Sequence, residues 1–388
     1  MILALALLTA AIWLVLLIGR GGFWRCRETD RDWPADHPGP LPGIVAIVPA
    51  RNEEEVIDRS IGALLAQDYR GPFRIVLVDD DSSDATARRA RARAEALGKA
   101  HSLSILTNRA LPAGWTGKLH AMARGVAEIG AEANAPEFLL FCDADIALAP
   151  DTLSRLVGCA RRDGRVMVSL MAKLSVQSWP EKLMIPAFIY FFAKLYPFAF
   201  VGDPRRRIAA AAGGCMLVDR ARLERAGGLE AIRHEIIDDC ALGRLMKTQG
   251  PITLALTDRA ISLRAYRDYG PIRRMITRSA FAELRYSPLR LLAALAGLAA
   301  TYLAPPLIAL LADGPAQVIG ALVTLAMWLS FVPVLRFYGL SPFLALTLPV
   351  IAVLYGAHTF ESALLHWQGR GGAWKGRYQA RATTGRQL

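Results

Sequence analysis

The sequence predicts an α/β domain with a mostly parallel sheet, carried between transmembrane helices at both ends. Three observations predict it. Short apolar, β-branched runs alternate with amphipathic segments between residues 33 and 288. Nearly uncharged stretches flank that region on both sides. Two of the apolar runs also end in clustered carboxylates, the place where open α/β sheets bind ligands.

Composition narrows the class. The chain has 388 residues, 53% of them hydrophobic and 21% charged, with a mean hydropathy of +0.29. That excludes disorder, collagen and coiled coil, and the length fits two or three structural units. Lys and Arg outnumber Asp and Glu by 46 to 34, a net charge of +12. Such an excess points to an anionic partner: nucleic acid, anionic lipid or a phosphorylated ligand. No nucleic-acid module is recognisable, so nucleic acid is not expected. The five cysteines are odd in number and lack CxxC spacing, which argues against a disulfide scaffold or a zinc site.

Residues 1–20 read as an N-terminal anchor. Met1 to Gly19 carries no charged side chain, and Arg20, Arg25, Arg27 and Arg31 follow. Positive charge after the apolar run places the N-terminus outside and Arg20 onward in the cytoplasm. Residues 289–365 are more apolar still. Only Asp313 is charged between Leu291 and Leu335, and nothing is charged between Phe337 and Phe360. Breaks at Asp313-Gly314-Pro315 and Tyr338–Pro342 leave about three runs, each able to cross a core about 30 Å thick. The expected location is the inner membrane, multi-pass, with the domain at residues 33–288 facing the cytoplasm. The basic tail, residues 366–388, favours the cytoplasmic side through Arg370, Lys375, Arg377, Arg381 and Arg386. One anchor plus three spans would leave it outside, unless one segment is re-entrant; Pro305-Pro306 marks the first as the candidate.

Within the domain, Gly43–Pro49 reads as a buried parallel strand. Glu53, Glu54 and Glu55 then open an amphipathic helix carrying Val56, Ile57, Ile61, Leu64 and Leu65. Phe73–Val78 is a second strand, after which Ser83 or Asp84 caps a basic helix. Leu103–Leu106, Phe138–Cys142 and Val166–Leu170 complete five predicted strands.

The acids follow. Val78 leads into Asp79-Asp80-Asp81-Ser82-Ser83-Asp84, and Cys142 into Asp143-Ala144-Asp145. Crowded carboxylates repel unless a cation or donors compensate, so Mg²⁺ or Mn²⁺ is the natural occupant. In a DxD at a strand end the two carboxylates reach different parts of one ligand. The chain has no GxGxxG, P-loop, GxSxG or HExxH motif.

These residues resemble glycosyltransferase family 2, with its GT-A fold. The resemblance rests on Val48-Pro49-Ala50-Arg51-Asn52-Glu53, the Val78–Asp84 run, Gly117-Lys118, Asp143-Ala144-Asp145, Gly213-Gly214-Cys215 and Asp238-Asp239-Cys240-Ala241-Leu242, in family order. More narrowly, Leu111–Lys118, the anchor and Trp374–Arg377 resemble members associated with hopanoid biosynthesis. The resemblance implies a nucleotide-sugar donor, with Asp80 accepting from a uracil ring and Ala50 and Glu53 flanking the uridine. It puts Lys118 beside the nucleotide, Asp143 near the ribose and Asp145 on the metal. Asp239 is implied as catalytic base, with Asp238 where the family usually has Glu, and Gly213-Gly214-Cys215 as the acceptor loop. Asp238 and Asp239 could instead cap the helix from Cys240 to Lys247. The QxxRW of processive members is missing. Arg274 and Arg278, four apart, share a helix face and could grip the departing diphosphate or anionic headgroups.

The acceptor is expected to be a lipid. Leu183–Ala193 and Leu195–Phe200 form an aromatic stretch broken by Pro186 and Pro197, suited to the membrane interface or else to a buried core helix. The rival readings are a polyprenyl-phosphate sugar transferase and a non-catalytic membrane sensor of nucleotide sugars.

Overall fold

The computed structural model describes residues 1–36, 39–108, 110–130 and 135–372. Trp374–Arg377 and the basic residues from Lys375 onward lie outside the described residues.

The first half of the domain alternates strand and helix as the sequence predicts. β1 (Ile44–Ala50), α2 (Ile57–Leu65), β2 (Phe73–Asp79), α3 (Thr86–Ala96), β3 (Leu103–Thr107), α4 (Gly117–Gly130) and β4 (Phe138–Cys142) follow α1 (Ile2–Ile18) in order. All seven residues of β1 are buried, because helices cover both faces of the sheet. Its alternating side chains therefore feed two cores. Val45 and Ile47 pack with Leu119, Met122 and Ile129 of α4. Ile44, Ala46 and Val48 pack with Ile57, Ile61 and Leu64 of α2 and with Ala90 and Ala94 of α3.

The second half departs from simple alternation. β5 (Ile146–Leu148), α5 (Thr152–Asp163), β6 (Met167–Lys173), α6 (Trp179–Leu195), α7 (Phe198–Gly202), β7 (Cys215–Asp219), α8 (Arg220–Arg225), α9 (Asp238–Lys247), β8 (Ile252–Ser262) and α10 (Tyr269–Glu283) complete the domain. The sheet order is β3-β2-β1-β4-β7-β6-β8-β5. β1 pairs in parallel with β2 and β4, β2 with β3, and β6 with β8. β7 runs antiparallel to β4 and β6, and β5 antiparallel to β8. The sheet is thus mixed, its parallel half carrying the Val48–Glu53, Val78–Asp84 and Asp143–Asp145 motifs at its strand ends. β5, β7 and β8 went unpredicted because two are short and β8 is interrupted by the polar Thr257-Asp258-Arg259.

The aromatic stretch becomes α6, half of it buried rather than laid on a surface. A capping box starts it: Ser178 Oγ accepts from Glu181 N–H, and the Glu181 carboxylate accepts from Ser178 N–H. Glu181 is fully buried and also accepts from Gln177 N–H and Tyr266 N–H. Met184, Ile185, Ile189 and Tyr190 then pack into the core shared with the C-terminal helices.

Those helices are α11 (Pro288–Leu298), a π turn at Ala299–Leu303, α12 (Ala304–Leu311), α13 (Pro315–Phe337) and α14 (Leu348–Trp367). They make three helices long and apolar enough to cross a membrane: Pro288–Leu311, Pro315–Phe337 and Pro342–Trp367, of 24, 23 and 26 residues. α1 has 17 residues, about 25 Å at 1.5 Å per residue, and is shorter than these three. It packs on them through Trp13, whose Nε1 donates to Thr301 O at 2.8 Å. Tyr190 and Ser330 share a hydroxyl–hydroxyl bond of 2.7 Å, and Tyr355 Oη donates to Met184 O. α6 is therefore the floor on which the domain meets the apolar helices.

Candidate active site

The site lies where β1, β2 and β4 end and the antiparallel β7 begins. The loops after β1 and β2 lock together through short polar side chains. Asn52 N–H donates to Ser82 Oγ, Ser83 N–H to Asn52 Oδ1, Glu53 N–H to Thr86 Oγ1 and Glu54 N–H to Asp84 Oδ2, all between 2.8 and 3.1 Å. Asn52 and Asp81 have φ of +52° and +58°. Asn and Asp tolerate that left-handed conformation best among non-glycine residues, and strain of this kind gathers at binding sites. Asp84 also accepts from the N–H of Thr86, the first residue of α3, although the N-cap position itself falls to Ala85 rather than to Ser83 or Asp84.

Asp80 is 1% exposed, and its Oδ1 accepts from Asn108 Nδ2 at 2.8 Å. Asn108 in turn lies 3.1 Å from His120 Nδ1. Ala50 is buried beside it, its carbonyl taking Asp80 N–H at 2.8 Å; the backbone of Ala50, more than its methyl, shapes this end of the site. Asn108 and His120 are additions that no sequence motif flagged.

The DxD motif faces two cations. Lys118, on the first turn of α4, reaches Asp143 Oδ1 and Asp238 Oδ2 at 2.9 Å each. It thereby ties the end of β4 to the start of α9, which lies 120 residues after Lys118 itself. Burial alone would lower the Lys118 pKa, but Asp143, Asp238 and Asp239 outweigh it and hold the ammonium above its ordinary value. Burial pushes the Asp143 carboxyl up to about 6; Lys118 opposes the rise, and Asp145 and Asp238 add to it. Asp145 is bound from the other side. Arg264 donates from Nε to Asp145 Oδ2 at 2.9 Å and from its terminal nitrogen to both oxygens of Glu53 at 2.7 and 2.9 Å. Arg264 belongs to the segment after β8, and its distance in sequence from both partners hid it from motif reading.

Asp238 and Asp239 are the first two residues of α9, but Asp239 does not cap it. Its Oδ2 accepts from Gly213 N–H at 3.0 Å and its Oδ1 from Cys240 N–H at 2.7 Å. Burial raises the Asp239 pKa and Asp238 raises it further, while Lys118 and the two backbone donors oppose. Gly213 is needed for close approach: a Cβ there would lie 3.0 Å from Lys118 Nζ and 3.6 Å from Asp239 Cβ. A Cβ on Gly214 would meet Ala172 Cβ at 2.9 Å. Cys215 corrects the expectation of an acceptor contact. It is fully buried opposite Cys142 on β4, and its side chain joins the core under the sheet. Burial pushes the thiols of Cys142, Cys215 and Cys240 up, Cys159 to about 12, as suits packing residues rather than nucleophiles.

The two arginines that the sequence pairs on one face of α10, Arg274 and Arg278, separate. Arg278 stands 4.0 Å from Asp238 Oδ1. Arg274 is exposed and lies one turn away from that contact.

A divalent ion fits this donor set in one way. Among the described residues no group of three or more His, Cys, Asp or Glu side chains is arranged to hold a metal. Asp145, with Asp143 two residues before it, suits Mg²⁺ or Mn²⁺ that keeps waters and brings diphosphate oxygens of its own, not an ion caged by protein.

Residues 42–287 match the family profile described as "Glycosyltransferase like family 2". A mannosyltransferase from Pyrobaculum calidifontis, solved in complex with GDP-Man and Mn²⁺, superposes with a TM-score of 0.59 at 20% identity, covering 94% of this chain and 99% of that one. An N-acetylglucosaminyltransferase of Rhizobium leguminosarum bv. viciae is 29% identical over 148 residues, 37% of this chain and 32% of its own length. A 4,4'-diaponeurosporenoate glycosyltransferase of Staphylococcus haemolyticus (strain JCSC1435) is 33% identical over 105 residues, 27% of this chain and 24% of its own. The chain thus spans about a third and a quarter of those two curated relatives. The mixed sheet with acids at its strand ends is the GT-A fold, and with the profile match over most of the domain, the chain belongs to glycosyltransferase family 2.

Proposed function

We propose that the protein is a membrane-bound inverting glycosyltransferase that moves a sugar from a nucleotide-diphosphate donor, a UDP-sugar, to a lipid hydroxyl. In this reading residues 1–20 anchor the chain, the domain at 33–288 faces the cytoplasm at the inner membrane, and the three C-terminal helices span the bilayer. Donor binding falls to the β1 and β2 ends, through Ala50, Glu53 and Asp80, with Lys118 and Asp143 beside the ribose and diphosphate.

The chemistry is a single displacement. Asp239 takes the proton of the acceptor hydroxyl, while Gly213 N–H and Cys240 N–H fix the plane of its carboxylate. The acceptor oxygen attacks the anomeric carbon on the face opposite the diphosphate, the bond to the diphosphate breaks, and the configuration inverts. Lys118 and Arg278 supply positive charge beside the reacting groups. Asp145, with Asp143 next to it, would hold a divalent ion whose contribution is to neutralise charge on the leaving diphosphate.

The observation that carries a lipid acceptor is the double attachment of α10. Its Arg278 faces Asp238, and its Arg273 pairs with Glu361 on α14, one of the long apolar helices. The catalytic acids therefore sit one helix away from the bilayer segment. The relative named for 4,4'-diaponeurosporenoate also supports a lipid-related acceptor. The resemblance of Leu111–Lys118 makes a hopanoid hydroxyl the first to try. The same Arg278 favours a second reading, in which the acceptor is a polyprenyl phosphate whose oxygen needs little base catalysis.

The test is an assay of UDP release by the purified chain across several UDP-sugars, each with and without extracted lipid, with mass spectrometry of the product. Lipid-dependent release with one donor is expected. No turnover with any donor, combined with unchanged UDP binding by Asp145→Ala, would overturn the assignment.

A further inference from the structure

Arg264 holds two carboxylates that the donor site needs. Glu53 and Asp145 have side chains only 11% and 19% exposed, and both lie on one guanidinium. The backbone beneath it is fixed: Leu263 N–H donates to Asp145 O at 2.7 Å, continuing the β5–β8 pairing of Ile146 with Ser262. Two residues on, Tyr266 N–H is held by the buried Glu181. Between these two pins, residues 263–268 form no helix or strand, and Arg264 is held by its side chain's bonds to Asp145 and Glu53.

Asp145 cannot serve this guanidinium and a divalent ion equally. The single negative charge of Asp145 that Nε meets at Oδ2 is the charge a divalent ion would draw on, and the two cations repel at that distance. A diphosphate arriving with its ion offers the guanidinium a planar, anionic alternative of the kind arginine binds best. Glu53 needs no such exchange, since Arg264 meets it through a different nitrogen.

We propose that Arg264 is a resident counter-cation of the donor site, holding Asp145 until a divalent ion arrives with the diphosphate and then releasing Asp145 while keeping Glu53. Only the nucleotide arm of the test rests on the nucleotide-sugar reading; the metal arm stands apart from it. The consequence is an ordered site: the acids stay compensated without metal, and free metal binds poorly until nucleotide comes with it.

The experiment measures binding of Mn²⁺ alone to the purified full chain, by electron paramagnetic resonance of the free ion. In Arg264→Gln, Mn²⁺ affinity should tighten by about tenfold or more, the worth of one charge-assisted hydrogen bond released. Adding Asp145→Asn in that background should abolish the gain. Arg264→Lys, which keeps the charge and the fold but loses the second contact, should tighten Mn²⁺ binding by less. Unchanged or weaker Mn²⁺ binding in both Arg264 variants, each melting like wild type, overturns the proposal. With UDP added, Mn²⁺ and UDP should strengthen one another's binding in wild type and do so less in Arg264→Gln; equal strengthening in both also overturns it. If UDP binds neither protein while the Mn²⁺ result holds, the donor assignment has failed and Arg264 still guards Asp145.

Discussion

Replacing Asp239 by Asn tests the chemistry most directly, because the surroundings of this carboxylate are fully specified. Both oxygens accept from backbone N–H groups, Gly213 at 3.0 Å and Cys240 at 2.7 Å. An amide has one acceptor oxygen, so one donor loses its partner and faces an NH₂ group. That costs about 1.5–3 kcal/mol for a hydrogen bond to a charged group. Against this, the charge that burial and Asp238 make costly is gone, so the two effects largely cancel and the melting temperature should shift by a few degrees at most. Activity should not be spared. Loss of a positioned general base lowers the rate by about 10²–10⁴, roughly 3–5 kcal/mol of barrier at 1.36 kcal/mol per decade. The assay is lipid-dependent UDP release by Asp239→Asn beside wild type, with UDP binding and thermal melting measured on the same preparations. Retention of activity within about tenfold of wild type, a smaller loss than a general base supplies, would refute the base assignment and favour a phosphate acceptor.

Four further outcomes follow from the same geometry. Gly213→Ala places a Cβ 3.0 Å from Lys118 Nζ and should push the ammonium by a few tenths of an ångström against Asp143 and Asp238, lowering kcat/KM by less than the roughly 10²-fold of a full ångström's misplacement, with little change in melting. Gly158→Ala would bring a Cβ to 1.9 Å from Pro34 O; because backbone must move, it should destabilise by about 1–3 kcal/mol or more, seen as a lower thermal midpoint. For pH, Asp143 and Asp239 bind protons more tightly folded than unfolded. In the metal-free protein their contribution to stability is therefore full below an unfolded pKa of ~3.9 and is lost as pH rises through the folded values, about 6 for Asp143. Thermal melts across that window should show a fall that Asp143→Asn reduces. Activity runs the other way: it should rise with pH through the raised pKa of Asp239, and Asp238→Asn should move that limb to lower pH, read from kcat/KM against pH.

How much of this was legible in the sequence depends on how each residue finds its partners. β1 to β4 were read to within a residue or two because each is a short apolar run, fully buried in β1 and β4, mostly so in β2, and half-covered in the edge strand β3. The antiparallel β7 was missed because Cys215–Asp219 carries its signal in pairing with β4 and β6, not in its own five residues. The motif acids were legible for a related reason: they are consecutive in the chain and stand at strand ends. What compensates them was not. Lys118 was flagged, but no spacing says that one ammonium bridges Asp143 and Asp238.

The same reasoning explains why Arg264 stayed hidden while Arg278 was singled out with Arg274. Two arginines four apart on a helix announce a shared face, yet only Arg278 approaches an acid, because Asp238 stands opposite one turn of α10 and not the next. Arg264 has no periodicity to announce it. Its role comes from β8 lying beside β5, which carries residue 264 back to Asp145, and from β1 ending across the same cleft, which supplies Glu53. Motifs recorded the acids because they stand close together in the chain, at the ends of β2 and β4 and the start of α9. The cations that keep those acids together before the ligand arrives are set by strand order, and strand order in this sheet changes direction at β7, where single-sequence reading stopped. If that division is general within this site, substitutions at Arg264 and Lys118 should alter how the empty site is held more than which donor it selects. Donor preference measured across UDP-sugars in Arg264→Lys should keep the wild-type ranking while the metal requirement changes, and a changed ranking would place Arg264 on the sugar instead.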